Sequence, residues 1–205
     1  MIKLLGIASI NPQVGKTTIC EYIKIKYNYL HIEISEAVSY IARDFLGYNG
    51  NKSNMYEREK LQEIGYLLKK FYPDIWIYHT INLLEIKDAG ETYIYRKEYP
   101  STCFSFFEYQ KIKKEIRTMG IKNFTNYYLN GKNIVIGGIR SIAEAEEIKK
   151  LNGKIILVKR ENKEINNHPV ENELIGYNNF DFIIENNKTI KDLYQEIDRF
   201  LKNEK

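Results

Sequence analysis

Ile2-Lys3-Leu4-Leu5-Gly6-Ile7-Ala8-Ser9, then Ile10-Asn11-Pro12-Gln13-Val14, then Gly15-Lys16-Thr17-Thr18, is the stretch on which the fold turns. The first segment is an apolar run that reads as a buried strand. A polar turn containing a proline follows, and Gly15-Lys16-Thr17-Thr18 opens a segment with helical spacing. Strand, loop and helix in that order form the setting in which backbone N–H groups and a helix N-terminus cradle phosphate. In such a loop Lys16 reaches the outer phosphates and the Thr17 hydroxyl faces a metal. The strict pattern asks for glycine six residues before the lysine, where this chain has Ile10. Asn11 is expected to supply a left-handed residue instead, since Asn tolerates that conformation better than most. The plainer reading is a strand–turn–helix whose lysine is merely solvated.

The 205 residues suffice for one α/β domain with a substantial core. A net charge of +4 suits an anionic small substrate as well as weak nucleic-acid contact and decides neither. Cys20 and Cys103 have no metal or redox spacing, so a reduced, cytoplasmic protein is expected. No apolar run reaches spanning length, so no membrane role is expected.

Downstream, Ile19, Ile23 and Tyr27 recur at helical spacing over 16–27, and residues 30–34 read as a second strand. Ser35 is expected to cap a helix with Val38, Ile41, Ala42 and Phe45 inward and Gly47 at its end. A loop over 48–55 precedes a helix over 56–71. Tyr72-Pro73-Asp74 breaks it, and Asp74 is placed to cap a further helix through Trp76, Ile77, Ile81 and Leu84. Residues 92–95 read as a strand candidate, 104–119 as a helix, and 124–129 as a separate short helix. Residues 133–136 form a strand ending in Gly137-Gly138-Ile139-Arg140, and Ser141 with Glu144 makes a capping box for the next helix. Strands at 155–158 and 182–184 and a helix over 190–201 complete the chain. Alternating strands and helices imply a parallel, wrapped sheet.

Several blocks together resemble the deoxynucleoside monophosphate kinases of bacteriophages, within the P-loop nucleoside monophosphate kinase group. They are the loop at Gly15-Lys16-Thr17-Thr18; Ile41-Ala42-Arg43-Asp44-Phe45-Leu46-Gly47 with Arg58 and Leu61-Gln62-Glu63-Ile64-Gly65; and Pro73-Asp74-Ile75-Trp76. The last runs from Ile134-Val135-Ile136-Gly137-Gly138-Ile139-Arg140 through His168-Pro169-Val170-Glu171-Asn172-Glu173-Leu174 to Phe180-Asp181-Phe182-Ile183-Ile184-Glu185-Asn186. The resemblance implies an α/β P-loop three-layer sandwich with a central, mostly parallel five-stranded sheet and helices on both faces. It implies one kinase-like domain over 1–205, with an acceptor-binding helical part at about 35–88, an insertion at about 89–131 and a lid-like loop at about 160–178.

The implied activity is transfer of the γ-phosphoryl group of ATP to a nucleoside monophosphate with Mg²⁺. Asn11, Gln13, Val14, Gly15, Lys16, Thr17 and Thr18 would bind ATP, with Thr17 at the metal. Lys16, Arg140 and Arg160 would act on the phosphates, since arginine grips phosphate oxygens bidentately and Arg140 and Arg160 each follow a strand's carboxyl end. Glu36, Arg43, Arg58, Asp74, Trp76, His168 and Glu171 would meet the acceptor. Each has a plainer reading: solvated helix charge for Arg43 and Arg58, cap and core for Asp74 and Trp76, a solvated loop for His168. The chain departs from the family at Gly138, where an Asp is usual, at Ile10, and at Ser39, where a Lys is usual. These departures leave room for a weakly active or inactive nucleotide-binding protein of the same fold, or for a kinase of another phosphorylated small molecule. Phe104, Phe106, Phe107 and Tyr109 are too many aromatics to leave exposed, so the 89–131 segment is expected to bury against the domain or in a homodimer contact, in preference to nucleic acid.

Overall fold

The structure, a computed structural model, describes residues 3–51, 53–71, 73–88, 106–161 and 172–203. Strand β1 (Leu4–Ala8) is buried at every position and paired along both edges. With β2 (Tyr29–Glu33), β3 (Asn133–Ile139), β4 (Lys154–Lys159) and β5 (Phe182–Glu185) it makes a five-stranded sheet of order β2-β3-β1-β4-β5, every pair parallel. A strand covered on both faces has no polar side to present, hence the unbroken apolar run at Leu4–Ala8. Leu5 and Ile7 point to one face, where Ile19, Cys20 and Ile23 of α1 (Lys16–Tyr27) meet Leu193 and Ile197 of α7 (Ile190–Asn203). Gly6 points to the other, where Ile148 of α6 (Ile142–Lys150) lies against it. Helices therefore cover both faces of the sheet.

Polar contacts fix these helices. Asp198 of α7 accepts from Tyr22 Oη at 2.8 Å, Tyr27 Oη at 2.7 Å and Lys26 Nζ at 2.6 Å, all on α1. Tyr22 also stacks on Tyr194 with ring centroids 3.9 Å apart. The capping box at Ser141 and Glu144 forms as the sequence predicts, with Glu144 N donating to Ser141 Oγ and Ser141 N donating to Glu144 Oε2. Asp181, just before β5, pairs with Lys149 and Lys154 and accepts from Ile155 N at 2.7 Å. Burial works to raise its carboxyl, but those donors outweigh it and hold the group below the ordinary value.

The described residues fall into two compact units, one drawn from Met1–Ser35 and Asn130–Lys205 and the other from Glu36–Leu129. The second is helical. After α2 (Ile34–Leu46) it contains α3 (Met55–Phe71), α4 (Ile75–Asp88) and α5 (Phe106–Leu129). Three expectations change. Helix α2 begins at Ile34, directly after β2, so Ser35 lies in its first turn and is not its cap. The two helices expected at 104–119 and 124–129 are one, α5, of 24 residues. Strand β3 runs three residues further, to Ile139. The continuity of α5 through Gly120 has a packing reason. Helix α4 comes so near that a Cβ at Gly120 would lie 2.7 Å from Tyr78 Cδ1 and 3.2 Å from Tyr78 Cα. The strand candidate at 92–95, Phe104 and the side chains of Phe106, Phe107 and Tyr109 lie outside the described residues.

Gly120→Ala should therefore lower stability. Helix propensity favours Ala by about 1 kcal/mol, but forcing a methyl into packed backbone costs about 1–3 kcal/mol. A net loss of about 1 kcal/mol in urea unfolding is expected, where an exposed helical Gly→Ala would gain. Helix α4 holds a pH-sensitive group: burial pushes the His79 imidazole down to about 4. A depressed histidine contributes stability that is complete above the unfolded value near 6.5 and is lost as pH falls toward 4. Unfolding followed across that window should show stability falling with acid, by up to about 3 kcal/mol, and the slope should flatten in His79→Gln.

Candidate phosphate site

Strand β1 ends at Ala8 inside the sheet, so the chain must leave over the sheet's carboxyl edge and turn back into α1. The turn takes its left-handed residues at Gln13 (φ 56°) and Gly15 (φ 101°). Asn11, expected to do this, does not; its carbonyl instead accepts from Ser9 Oγ at 2.8 Å. The missing glycine at Ile10 thus needs no substitute there, because the reversal is made three residues later. Asn186, at the end of β5, steadies the loop by donating from Nδ2 to Val14 O at 2.9 Å. Gly15 is the N-cap of α1. It offers no side-chain cap, and the first turn carries no acidic residue. The leading N–H groups of α1 and the positive end of its dipole therefore favour an anion.

A cleft of about 490 Å³ opens at this helix start. Gln13, Val14, Gly15, Lys16, Thr17 and Thr18 form one side; Arg160, Asn186, Lys188, Ile190 and Leu193 form the rest. Lys16, Arg160 and Lys188 are its charged groups, all cationic. Lys16 Nζ also donates to Ser9 Oγ, which holds the ammonium over the loop. Three cations around an open helix N-terminus suit a polyanion.

Glu33, the last residue of β2, is a functional candidate that sequence reasoning missed. Its Oε1 lies 3.5 Å from Thr17 Oγ1. A Cβ at Gly137 would stand 2.3 Å from Glu33 Oε1, and one at Gly138 would stand 3.1 Å from Glu33 Oε2. Gly138 is the bulged residue of β3 and has φ 81°, a conformation an aspartate there would adopt only under strain. Glu33 therefore fills the space a side chain at 137 or 138 would occupy, and puts a carboxylate beside Thr17 from the neighbouring strand. The hydroxyl of Thr17 and the carboxylate of Glu33 are hard oxygen donors, which fits Mg²⁺. His31 holds Glu33 in turn, with Nε2 3.2 Å from Oε1, and its Nδ1 lies 2.7 Å from Glu21 Oε1.

Residues 110–197 match the family model described as deoxynucleotide monophosphate kinase. The phosphate-loop geometry of residues 9–18 lies outside that match and is a separate observation. That match and the loop geometry together support a P-loop nucleotide kinase. No curated protein matches it significantly. Among solved structures it is similar to dephospho-CoA kinase from Campylobacter jejuni, with 13% identity, a TM-score of 0.40, and coverage of 98% of this chain and 96% of that one.

The residues predicted for ATP, apart from Asn11, share one cleft with Arg160. Arg140 follows β3 at the same carboxyl edge of the sheet but does not line the cleft; its backbone N donates to Glu144 Oε2 at 2.8 Å. Lys188 was missed, although its place just beyond the end of β5 is the same signal that singled out Arg140 and Arg160. Glu36, Arg43 and Arg58 lie in the helical unit, Glu36 in the first turn of α2, Arg43 in its last turn, and Arg58 near the start of α3. In that unit Asp74 is buried against the Arg117 guanidinium, and Trp76, 1% exposed, donates its indole N–H to Gly65 O at 3.0 Å. Packing thus accounts for both side chains. His168 and Glu171 lie outside the described residues, as does most of the lid-like loop. Among the described residues no helix is long and apolar enough to cross a membrane.

Gly15→Ala should break the loop. Beyond the strain of φ 101°, the new Cβ would lie 2.6 Å from Asn186 Nδ2 and disturb the contact that steadies Val14. Calorimetric binding of tripolyphosphate should weaken at least about ten-fold, the scale of one lost charge-assisted hydrogen bond, while the far-UV circular dichroism stays unchanged.

Proposed function

We propose that this chain is a kinase that transfers the γ-phosphoryl group of ATP to the phosphate of a (deoxy)nucleoside monophosphate, releasing ADP and the nucleoside diphosphate. The observation that carries this reading is the cationic cleft at the uncapped start of α1. The deoxynucleotide part rests on the family whose model matches residues 110–197. In the transfer, the bond from the γ-phosphorus to the β–γ bridging oxygen breaks and a bond to an acceptor phosphate oxygen forms. The acceptor oxygen is already anionic, so no general base is required. The protein's work is positioning and charge neutralisation.

The residues divide that work. The loop N–H groups and Lys16 grip the outer phosphates of ATP. Arg160 and Lys188 close the cationic wall around them, and Val14, Ile190 and Leu193 give it apolar surface. Thr17 and Glu33 would hold Mg²⁺, which when bound neutralises phosphate charge. Glu33 thereby supplies the carboxylate that Gly138 lacks, which favours an active enzyme over an inactive binding protein. Arg140 steadies the transferring group from the end of β3. On the acceptor side Glu36, Arg43 and Arg58 of the helical unit, with His168 and Glu171 of the lid-like loop, would receive the monophosphate.

A coupled ADP-release assay across the ribo- and deoxyribonucleoside monophosphates tests the activity and identifies the acceptor. Lys16→Ala should weaken ATP binding by calorimetry and lower kcat/KM at least about a hundred-fold, as loss of a transition-state phosphate contact does. Unchanged ATP affinity in that variant would refute the loop assignment. Arg140→Lys keeps the charge but loses the planar fork, so turnover should fall in it as well as in Arg140→Ala. Wild-type kinetics in both would remove Arg140 from the site.

A further inference from the structure

Beneath the phosphate loop, three side chains of different donor chemistry converge between α1 and β2. His31 and Glu33 are two residues apart on β2 and so share a face. Cys20 of α1 packs over that face. One ligand atom from each, a sulfur, a ring nitrogen and a carboxylate oxygen, lie within 4.8 Å of one another. Tetrahedral donors around a zinc-class ion stand about 3.5 Å apart, so a small inward movement closes the set. Cys20 is fully buried and His31 is 7% exposed, which keeps competing water away.

The hydrogen bonding around His31 points the same way. Glu21 Oε1 lies 2.7 Å from Nδ1, on the outer side of the ring. A carboxylate behind the ring is the usual support for a metal-ligating histidine, because it fixes the tautomer and leaves Nε2 as the donor. Nε2, on the other side of the ring, faces Glu33 Oε1 at 3.2 Å. A cation seated here would meet Nε2, the Glu33 carboxylate and the Cys20 sulfur together. The thiol beside them decides which cation would suit. Sulfur, imidazole and one carboxylate together favour a zinc-class ion over Mg²⁺ or Ca²⁺.

We propose that Cys20, His31 and Glu33 bind one zinc-class divalent cation, with Glu21 orienting His31 from behind. Glu33 belongs to two sets of donors: the hard oxygen pair with Thr17, and this softer triad. Resting on the proposed kinase activity, a zinc-class ion would draw Glu33 away from Thr17 and act as an inhibitor competing for that carboxylate.

The test uses the full chain freed of metal by chelation, with Co²⁺ as the spectroscopic probe. One equivalent of Co²⁺ should give a thiolate-to-cobalt charge-transfer band that Zn²⁺ abolishes by displacement. The band should vanish in Cys20→Ser and persist in Cys103→Ser. Glu21→Gln should keep the band but weaken Zn²⁺ about 10–100-fold, the usual effect of removing such a support. Absence of the band in the unaltered protein overturns the proposal without recourse to any variant. So does a band that follows Cys103, or Zn²⁺ affinity equal in Cys20→Ser and wild type. In the ADP-release assay, Zn²⁺ inhibition relieved in Cys20→Ser supports the sharing of Glu33, and equal inhibition in both proteins refutes it. The cobalt spectrum needs no turnover, so failure of the metal site and failure of the kinase reading are told apart.

Discussion

A strand with both edges paired and both faces covered leaves its chain one exit, and β1 is such a strand. Its neighbours β3 and β4 hold it on either side, and α1, α7 and α6 close the two faces. The backbone can only continue over the carboxyl edge of the sheet and fold back. That turn leaves the first N–H groups of α1 without side-chain partners, beside the ends of four other parallel strands. The cationic residues of the cleft and Arg140 stand where they do because they follow those ends. The site is a consequence of β1's burial, since parallel strands all deliver their following residues to the same edge.

The carboxylate beside Thr17 illustrates how such an edge tolerates change. A side chain on the bulged residue of β3 would have to adopt a left-handed backbone. Glycine accepts that conformation without strain, and the adjoining Gly137 leaves space as well. Strand β2 lies alongside, and Glu33 is long enough to reach across. The negative charge beside the loop is thus carried by β2 and not by β3. Its cost, a partly buried carboxylate, is offset by His31.

Features decided by neighbours in sequence were legible in advance. Gly15-Lys16-Thr17 after an apolar run announces the loop, and Ser141 with Glu144 announces a capping box, because each acts within a few residues. Glu33 was opaque because its role depends on two glycines a hundred residues away. Asn11 misled because tolerance of a left-handed conformation says nothing about which loop residue the closing geometry will pick, and Gln13 was picked. Residues 104–129 read as two helices because the close approach of Tyr78 to Gly120, which rewards a glycine inside a continuous helix, is invisible in one dimension. Lys188 was legible by the rule applied to Arg140 and Arg160. It was overlooked because a lysine in an Asn-rich stretch looks like solvated loop.

The pairing of Leu4 with Ile134 and of Tyr22 and Tyr27 with Asp198 carries a consequence for how the chain is made. During synthesis β1 emerges first and waits for more than half the chain before either strand that flanks it exists. Helix α1 waits longer still for α7. Non-local parallel pairing of this kind is slow to form. Until it does, the run Leu4–Ala8 is a bare, chargeless strand with two open edges, the sort of segment nascent chains must be kept from joining to one another. The helical unit, by contrast, is contiguous from Glu36 to Leu129 and can assemble while the ribosome is still supplying β3. Vectorial synthesis therefore favours an order in which the intervening helices fold early and the phosphate loop is completed last.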